Sequence, residues 1–180
     1  MKPTESRGPG RYFGQLLLRA STIIGTILGP RLDDEKMQVL TVLFGFLLLY
    51  RVLGAAGVSL FATWMESARF ALATMFAFTA VSHFAPMRKD LIAMVPPALP
   101  RPDLLVFATG VLELAGAAGL LFGVTRFWAA CGLILLMAAM LPANVSAERR
   151  GIGIRGRPAT PLWLRIPMQI LFGIWAWYVR

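Results

Sequence analysis

Repeated apolar stretches, each about as long as a helix needs to cross a bilayer, constrain this chain more than any other feature. A helical crossing takes about 18 to 20 predominantly apolar residues. Runs of that order recur at residues 38–59, 68–85, 104–124, 126–143 and 162–179. Inside hydrocarbon every backbone N–H and C=O must be paired within the protein, which leaves only helices and closed barrels. The apolar runs show no strand-like alternation and no internal repeat, so helices are expected. Composition agrees, with 57% hydrophobic and only 15% charged residues, where soluble domains carry roughly 25% charged. The expected fold is all-α: an integral membrane bundle of four core transmembrane helices plus one N-terminal transmembrane helix. Residues 38–180 form that single domain, behind a basic tail over residues 1–37.

Within the tail, residues 1–11 are rich in Gly, Pro and charge, whereas residues 12–28 carry apolar positions at helical spacing. Phe13, Leu16, Leu17, Ala20, Ile23, Ile24, Ile27 and Leu28 form a stripe, and Gln15, Arg19, Thr22 and Thr26 lie off it. Gly29 and Pro30 end the segment. The pattern predicts an amphipathic helix on the membrane surface. Arg19 interrupts it and no small-residue cleavage site follows, which argues against a signal peptide.

Net charge is +9. Spread over loops between apolar runs, this charge sets orientation and attracts anionic lipid rather than nucleic acid. With five spans, one side receives Lys2, Arg7, Arg11, Arg19, Arg31, Lys36, Arg88, Lys89, Arg101, Arg149, Arg150, Arg155 and Arg157. The other receives Arg126, Arg180 and Arg69. The bias predicts a cytoplasmic N-terminus and an outward C-terminus in a bacterial inner membrane.

Ionisable residues at membrane depth are costly and default to functional hypotheses. Glu113, on the third run, lies about 15 Å from its entry, and Arg51, on the first, about 20 Å in. Two arrangements are open: a Glu113–Arg51 ion pair, or an Arg51 that snorkels past a protonated Glu113. An arginine at mid-helix costs about 2.5 to 3.5 kcal/mol, which a dozen apolar neighbours at about 0.3 to 0.6 kcal/mol each offset. Thr109, Gly110, Gly116 and Ala117 flank Glu113 within one turn. Such small residues admit either a flat ligand or a neighbouring backbone. Glu113 is therefore either a carboxylate facing a ligand cleft or one half of a structural pair.

A second polar group gathers toward the basic ends of the spans. His83, the only histidine, closes the second run; Asn144 follows Pro142; Arg165 and Gln169 share a face. They could line one pocket with Glu113, or simply be the polar residues expected at helix ends, where a cation complements the dipole. The chain has one Cys, Cys131, inside an apolar run, which excludes an internal disulfide and a Cys-x-x-Cys pair. One His and one Cys give no metal-ligand spacing, so no metal and no intrinsic cofactor are expected. "GIGIRG" at 151–156 lacks the strand and helix context of a nucleotide-binding turn. "NVS" at 144–146 matches a glycosylation sequon on the expected cytoplasmic side.

Residues 65–180 carry a resemblance. His83-Phe84, Val95-Pro96-Pro97, Leu112-Glu113-Leu114-Ala115-Gly116, Pro142-Ala143-Asn144 and Arg165-Ile166-Pro167-Met168-Gln169 look like the DoxX-like family of small bacterial membrane proteins. That resemblance implies a four-helix membrane core, to which residues 38–59 add a span. It also implies association with quinone-linked redox complexes or with assembly roles, and it carries over no catalytic residue set. The missing cysteine pair speaks against thiol chemistry.

Two functions from different classes remain open. One is a bundle binding a quinone or another lipophile as a subunit of a membrane redox system, with Glu113, His83, Asn144, Arg165 and Gln169 holding polar atoms. The other is a non-catalytic scaffold or assembly partner in which these groups fasten helices and the basic face meets lipid or a partner subunit. A cavity beside Glu113 favours the first; a solid bundle favours the second.

Overall fold

The computed structural model describes residues 34–154, 156–158 and 160–180. Six α-helices are described: α1 (Asp34–Ala55), α2 (Trp64–Val81), α3 (Arg88–Met94), α4 (Pro102–Leu121), α5 (Arg126–Arg149) and α6 (Leu162–Tyr178). A 3₁₀ turn at Ser59–Phe61 follows α1, and a two-residue antiparallel pair, Gly153–Ile154 with Arg157–Pro158, precedes α6. The expected surface helix at 12–28 lies outside the described residues. The chain divides into two compact units between Gln38 and Val39, and Val39–Arg180 is the unit that holds the bundle.

Helix boundaries depart from the hydropathy boundaries for local chemical reasons. α1 ends at Ala55 rather than Ser59, because Gly57 turns the chain at φ 100°. α2 starts at Trp64, not 68, on a capping box: the Thr63 hydroxyl accepts from the Glu66 N–H, and the Thr63 N–H donates to the Glu66 carboxylate at 3.0 Å. Ser67, in the first turn, lies fully buried and donates to the Phe61 carbonyl. α5 runs through Pro142 to Arg149 instead of stopping near 143. A proline removes one helical N–H donor, but a span packed among neighbouring helices tolerates that loss. The proline-containing link between the second and third runs contains α3, seven residues long.

α2 packs on α4, α4 on α5, α5 on α6 and α6 back on α2, and α3 packs against both α4 and α5. Small residues and leucines fill the centre: Ala71, Leu72, Met75 and Phe76 of α2, Ala117 and Leu120 of α4, Ala130, Leu133 and Met137 of α5, and Phe172 and Ala176 of α6. α1 adds the fully buried Leu43. Val39, Leu40, Val42, Phe46, Leu47 and Tyr50 pack against the same core, the Phe44 and Trp175 centroids lie 5.7 Å apart, and the Tyr50 hydroxyl is 2.9 Å from that of Thr74.

The outer surface carries many large apolar side chains. Leu48, Leu112, Trp128, Leu135, Ile170 and Ile174 are all half exposed or more. A water-soluble monomer rarely leaves so large a contiguous apolar surface uncovered. Among the described residues, Met37–Ala55, Pro102–Leu121 and Arg126–Arg149 are long and apolar enough to cross a membrane. The fold is therefore all-helical and compatible with an integral membrane protein.

Candidate functional site: a buried imidazole–carboxylate pair

Three polar or charged residues are buried among the described ones: Ser67, His83 and Glu113. The last two meet. His83, just past the end of α2, points its Nε2 at Glu113 Oε2 of α4, 3.3 Å away. The other carboxyl oxygen, Oε1, is hydrogen-bonded to the Thr79 hydroxyl of α2. On the far side of the ring, His83 Nδ1 lies 2.9 Å from the Val106 carbonyl and 3.2 Å from the Thr109 hydroxyl, both on α4.

Helical spacing builds this lattice. Thr79 and His83 are four residues apart on α2's line, and Thr109 and Glu113 four apart on α4, so each pair shares a helix face. Because α2 and α4 run in opposite directions, the pairs cross: Thr79 meets Glu113, and Thr109 meets His83. Gly110 makes the approach possible. A Cβ there would stand 2.5 Å from His83 Cβ and 3.0 Å from Phe84 Cζ. No side chain larger than hydrogen fits without moving α2's end.

The partners fix most of the protons. A carbonyl oxygen only accepts, so Nδ1 must carry hydrogen toward Val106. A hydrogen on either Nε2 or Oε2 would let the two atoms bond across the 3.3 Å between them. If it sits on nitrogen, the pair is imidazolium and carboxylate; if on oxygen, neutral imidazole and carboxylic acid. Both forms have zero net charge, the cheapest state for two ionisable groups in a low-dielectric interior. Gain or loss of one proton would leave a buried net charge.

The expected pairing of Glu113 with Arg51 does not form. Arg51 lies one turn before the end of α1, where its Nη1 donates to the carbonyls of Phe61 at 3.0 Å and Ala62 at 3.1 Å. Its guanidinium also stacks 4.7 Å from the centroid of Trp64. A span reaching Ser59 would hold Arg51 well inside the helix. With α1 ending at Ala55, the arginine instead reaches its own following turn. Gly54 admits that turn, since a Cβ there would lie 2.0 Å from the Phe61 carbonyl oxygen.

Two of the other candidates form a pair of their own. Arg165 Nη1 donates to Asn144 Oδ1 at 2.6 Å, joining α5 to α6. One turn further along α5, Glu148 accepts the Leu162 N–H at 3.0 Å. Gln169 is partly exposed, with no side-chain hydrogen bond among the described residues. The small residues beside Glu113 are filled by protein: a Cβ on Gly116 would meet Leu133 Cδ2 at 2.6 Å, as one on Gly110 would meet His83. An open groove of about 240 Å³, lined by Thr41, Val42, Gly45, Phe46 and Leu49 of α1, contains none of the candidate residues. Among the described residues no three His, Cys, Asp or Glu side chains gather as metal ligands. Thr79 is a site residue that sequence reasoning misses, although its spacing from His83 mirrors that of Thr109 from Glu113.

The comparison that bears on identity covers this same region. Residues 72–180 match the family model of a domain of unknown function, DUF8561. The chain belongs to the DUF8561 family. Its matched region holds both halves of the His83–Glu113 pair and the Asn144–Arg165 pair. No curated protein and no solved structure matches the chain.

Proposed function

We propose that this DUF8561 member is a DoxX-like, five-span protein of a bacterial inner membrane that works as a non-catalytic scaffold or assembly partner. One observation carries the reading: both carboxyl oxygens of Glu113 and both ring nitrogens of His83 are engaged by the protein's own groups. A ligand-binding carboxylate in a membrane cleft would keep at least one oxygen turned toward open space. Here the pair ties α2 to α4 and leaves no polar atom unspent.

Five crossings are supported by α2 and α6, of 18 and 17 residues, which join the same bundle as the longer helices. Their outward faces are apolar, with Phe78, Val81, Ile170 and Ile174 exposed. α2, α4, α5 and α6 would be the four core spans and α1 the added one. A cytoplasmic α3 end is supported by the basic links 86–102 and 145–161 that gather there.

A second reading, a quinone-binding subunit of a membrane redox system, draws on the facing imidazole and carboxyl groups, 3.3 Å apart, which could exchange a proton with a quinone head group. Thermal unfolding of the purified chain in detergent, with and without ubiquinone and menaquinone analogues, separates the two. The scaffold reading expects an unchanged midpoint. A saturable upward shift that Glu113→Gln abolishes would replace it with the ligand reading.

A further inference from the structure

We infer that α3 is an interfacial helix and that the exposed cations around it, Lys89 on α3, Arg101 just before α4 and Arg149 at the end of α5, bind the phosphate of anionic phospholipid headgroups. The inference rests on the membrane-crossing reading of the bundle and adds a lipid site at its end.

Two contacts fix how α3 lies. At its start, Arg88 Nη2 donates to the Asp103 carbonyl in the first turn of α4, at 3.2 Å. At its end, Arg150 Nη2 of the α5 terminus sits 2.7 to 2.9 Å from the carbonyls of Ala93, Met94 and Val95. α3 therefore bridges from α4 to α5. Seven residues rise about 10 Å, the spacing of two packed helices. A helix that spans one interhelical distance lies across the bundle end, in the plane of the headgroups, with Met94 turned into the protein.

Around this crosspiece the cations divide by use. Arg88 and Arg150 are engaged with main-chain carbonyls. Lys89, Arg101 and Arg149 make no hydrogen bond or ion pair among the described residues, and all three are exposed. The same contacts bring all three to α3: Lys89 follows Arg88, Arg101 opens α4 two residues before Asp103, and Arg149 precedes Arg150. Arg101 is also the only non-glycine residue with positive φ among those described, at 51°, between Pro100 and Pro102. A side chain held in that conformation costs about 1 kcal/mol or more, and here it carries a free guanidinium. Beside it the exposed Leu99 offers an apolar anchor for the acyl boundary. Free cations next to an apolar anchor suit a lipid phosphate better than an acidic protein segment, which would not need the leucine. Among the described residues the opposite end offers no comparable set, since Arg51, Arg69 and Arg126 donate to carbonyls and Arg180 stacks 3.4 Å from the Trp177 ring centroid.

The test measures retention of phosphatidylglycerol against phosphatidylcholine by the full chain, purified from vesicles containing both and weighed intact. Wild type should retain phosphatidylglycerol preferentially. Lys89→Gln, Arg101→Asn and Arg149→Gln combined should reduce that preference on the order of a hundredfold, about fivefold per charge. Asn suits the left-handed position at 101, and helical circular dichroism verifies folding. Arg149→Lys alone should keep the preference. An unchanged preference in the folded triple variant would overturn the inference, as would displacement of the lipid by millimolar inorganic phosphate, which marks a soluble-anion site. Release of the chain from membranes by alkaline carbonate would refute the membrane reading itself; failure of lipid preference alone leaves the chain carbonate-resistant.

Discussion

Glu113 and Arg51 invite treatment as one pair, yet the protein handles them in two different ways. Glu113 depends on a neighbouring helix: His83 and Thr79 supply its partners, thirty and thirty-four residues away. Arg51 depends on its own continuation: Phe61 and Ala62 supply carbonyls ten and eleven residues on. The first solution couples two helices across the bundle, while the second seals a turn at its edge. Charges at similar depth are therefore not partners by depth alone. A guanidinium near a helix end has local carbonyls within reach, and a mid-helix carboxylate has only what the next helix presents.

The largest effect should come from breaking the long-range solution. His83→Ala removes one half of a buried pair and leaves Glu113 facing an apolar gap. Loss of one partner of such a pair costs about 3 to 5 kcal/mol. Unfolding in detergent should show that loss, and His83→Ala combined with Glu113→Ala should be less destabilised than the sum of the two single variants. Strict additivity of that pair would mean that the contact fastens nothing.

Next in size is the glycine that permits the contact. Gly110→Ala puts a methyl 2.5 Å from His83 Cβ and should cost about 1 to 3 kcal/mol through forced displacement. Gly45→Ala on α1, where nothing lies within 4 Å, should be neutral or stabilising by about 0.5 to 1 kcal/mol. The two substitutions are chemically identical, so the difference between their unfolding midpoints isolates packing at the site.

Much of this architecture is legible in the sequence, and the misses have specific causes. Apolar runs locate the five long helices among the described residues, because hydrophobic length is written residue by residue. Helix ends are less visible: Thr63 with Glu66 is a plain capping box, but Ser67 nearby competes for the same role in sequence. α3 hides in a proline-rich link because its hold is tertiary, through Arg88 and Arg150. Glu113 stands out as a lone carboxylate in a span. Its true partner is visible only as a helix-end histidine, since nothing local says that α2 stops opposite Gly110. The crossed Thr79/His83 and Thr109/Glu113 spacing carries that information once two antiparallel helices are assumed.

The local solution should behave independently. Arg51→Gln loses the charge-assisted bonds to two carbonyls and the stacking on Trp64, about 1 to 2 kcal/mol. Combined with Glu113→Gln, the effects on unfolding should add within about 0.5 kcal/mol, as distant sites do. Coupling above that would restore an Arg51–Glu113 interaction through some path not seen in the contacts.

The smallest effects test the proton arrangement within the pair. Thr79→Val deletes the hydroxyl bonded to Glu113 Oε1, leaving that oxygen without a partner, and should cost about 1 to 2 kcal/mol. Thr109→Val deletes a hydroxyl that only supplements the Val106 carbonyl as acceptor for His83 Nδ1–H. The ring keeps its main partner, so the loss should stay near about 0.5 kcal/mol. The order matters more than the sizes. If Thr109→Val proved the more damaging, Nδ1 would have to be an acceptor served by the threonine hydroxyl. Hydrogen would then sit on Nε2, the ring would be the opposite neutral tautomer, and Glu113 would hold its charge as a carboxylate beside it. Nitrogen-15 chemical shifts of the single histidine report the tautomer directly and would decide between the two arrangements.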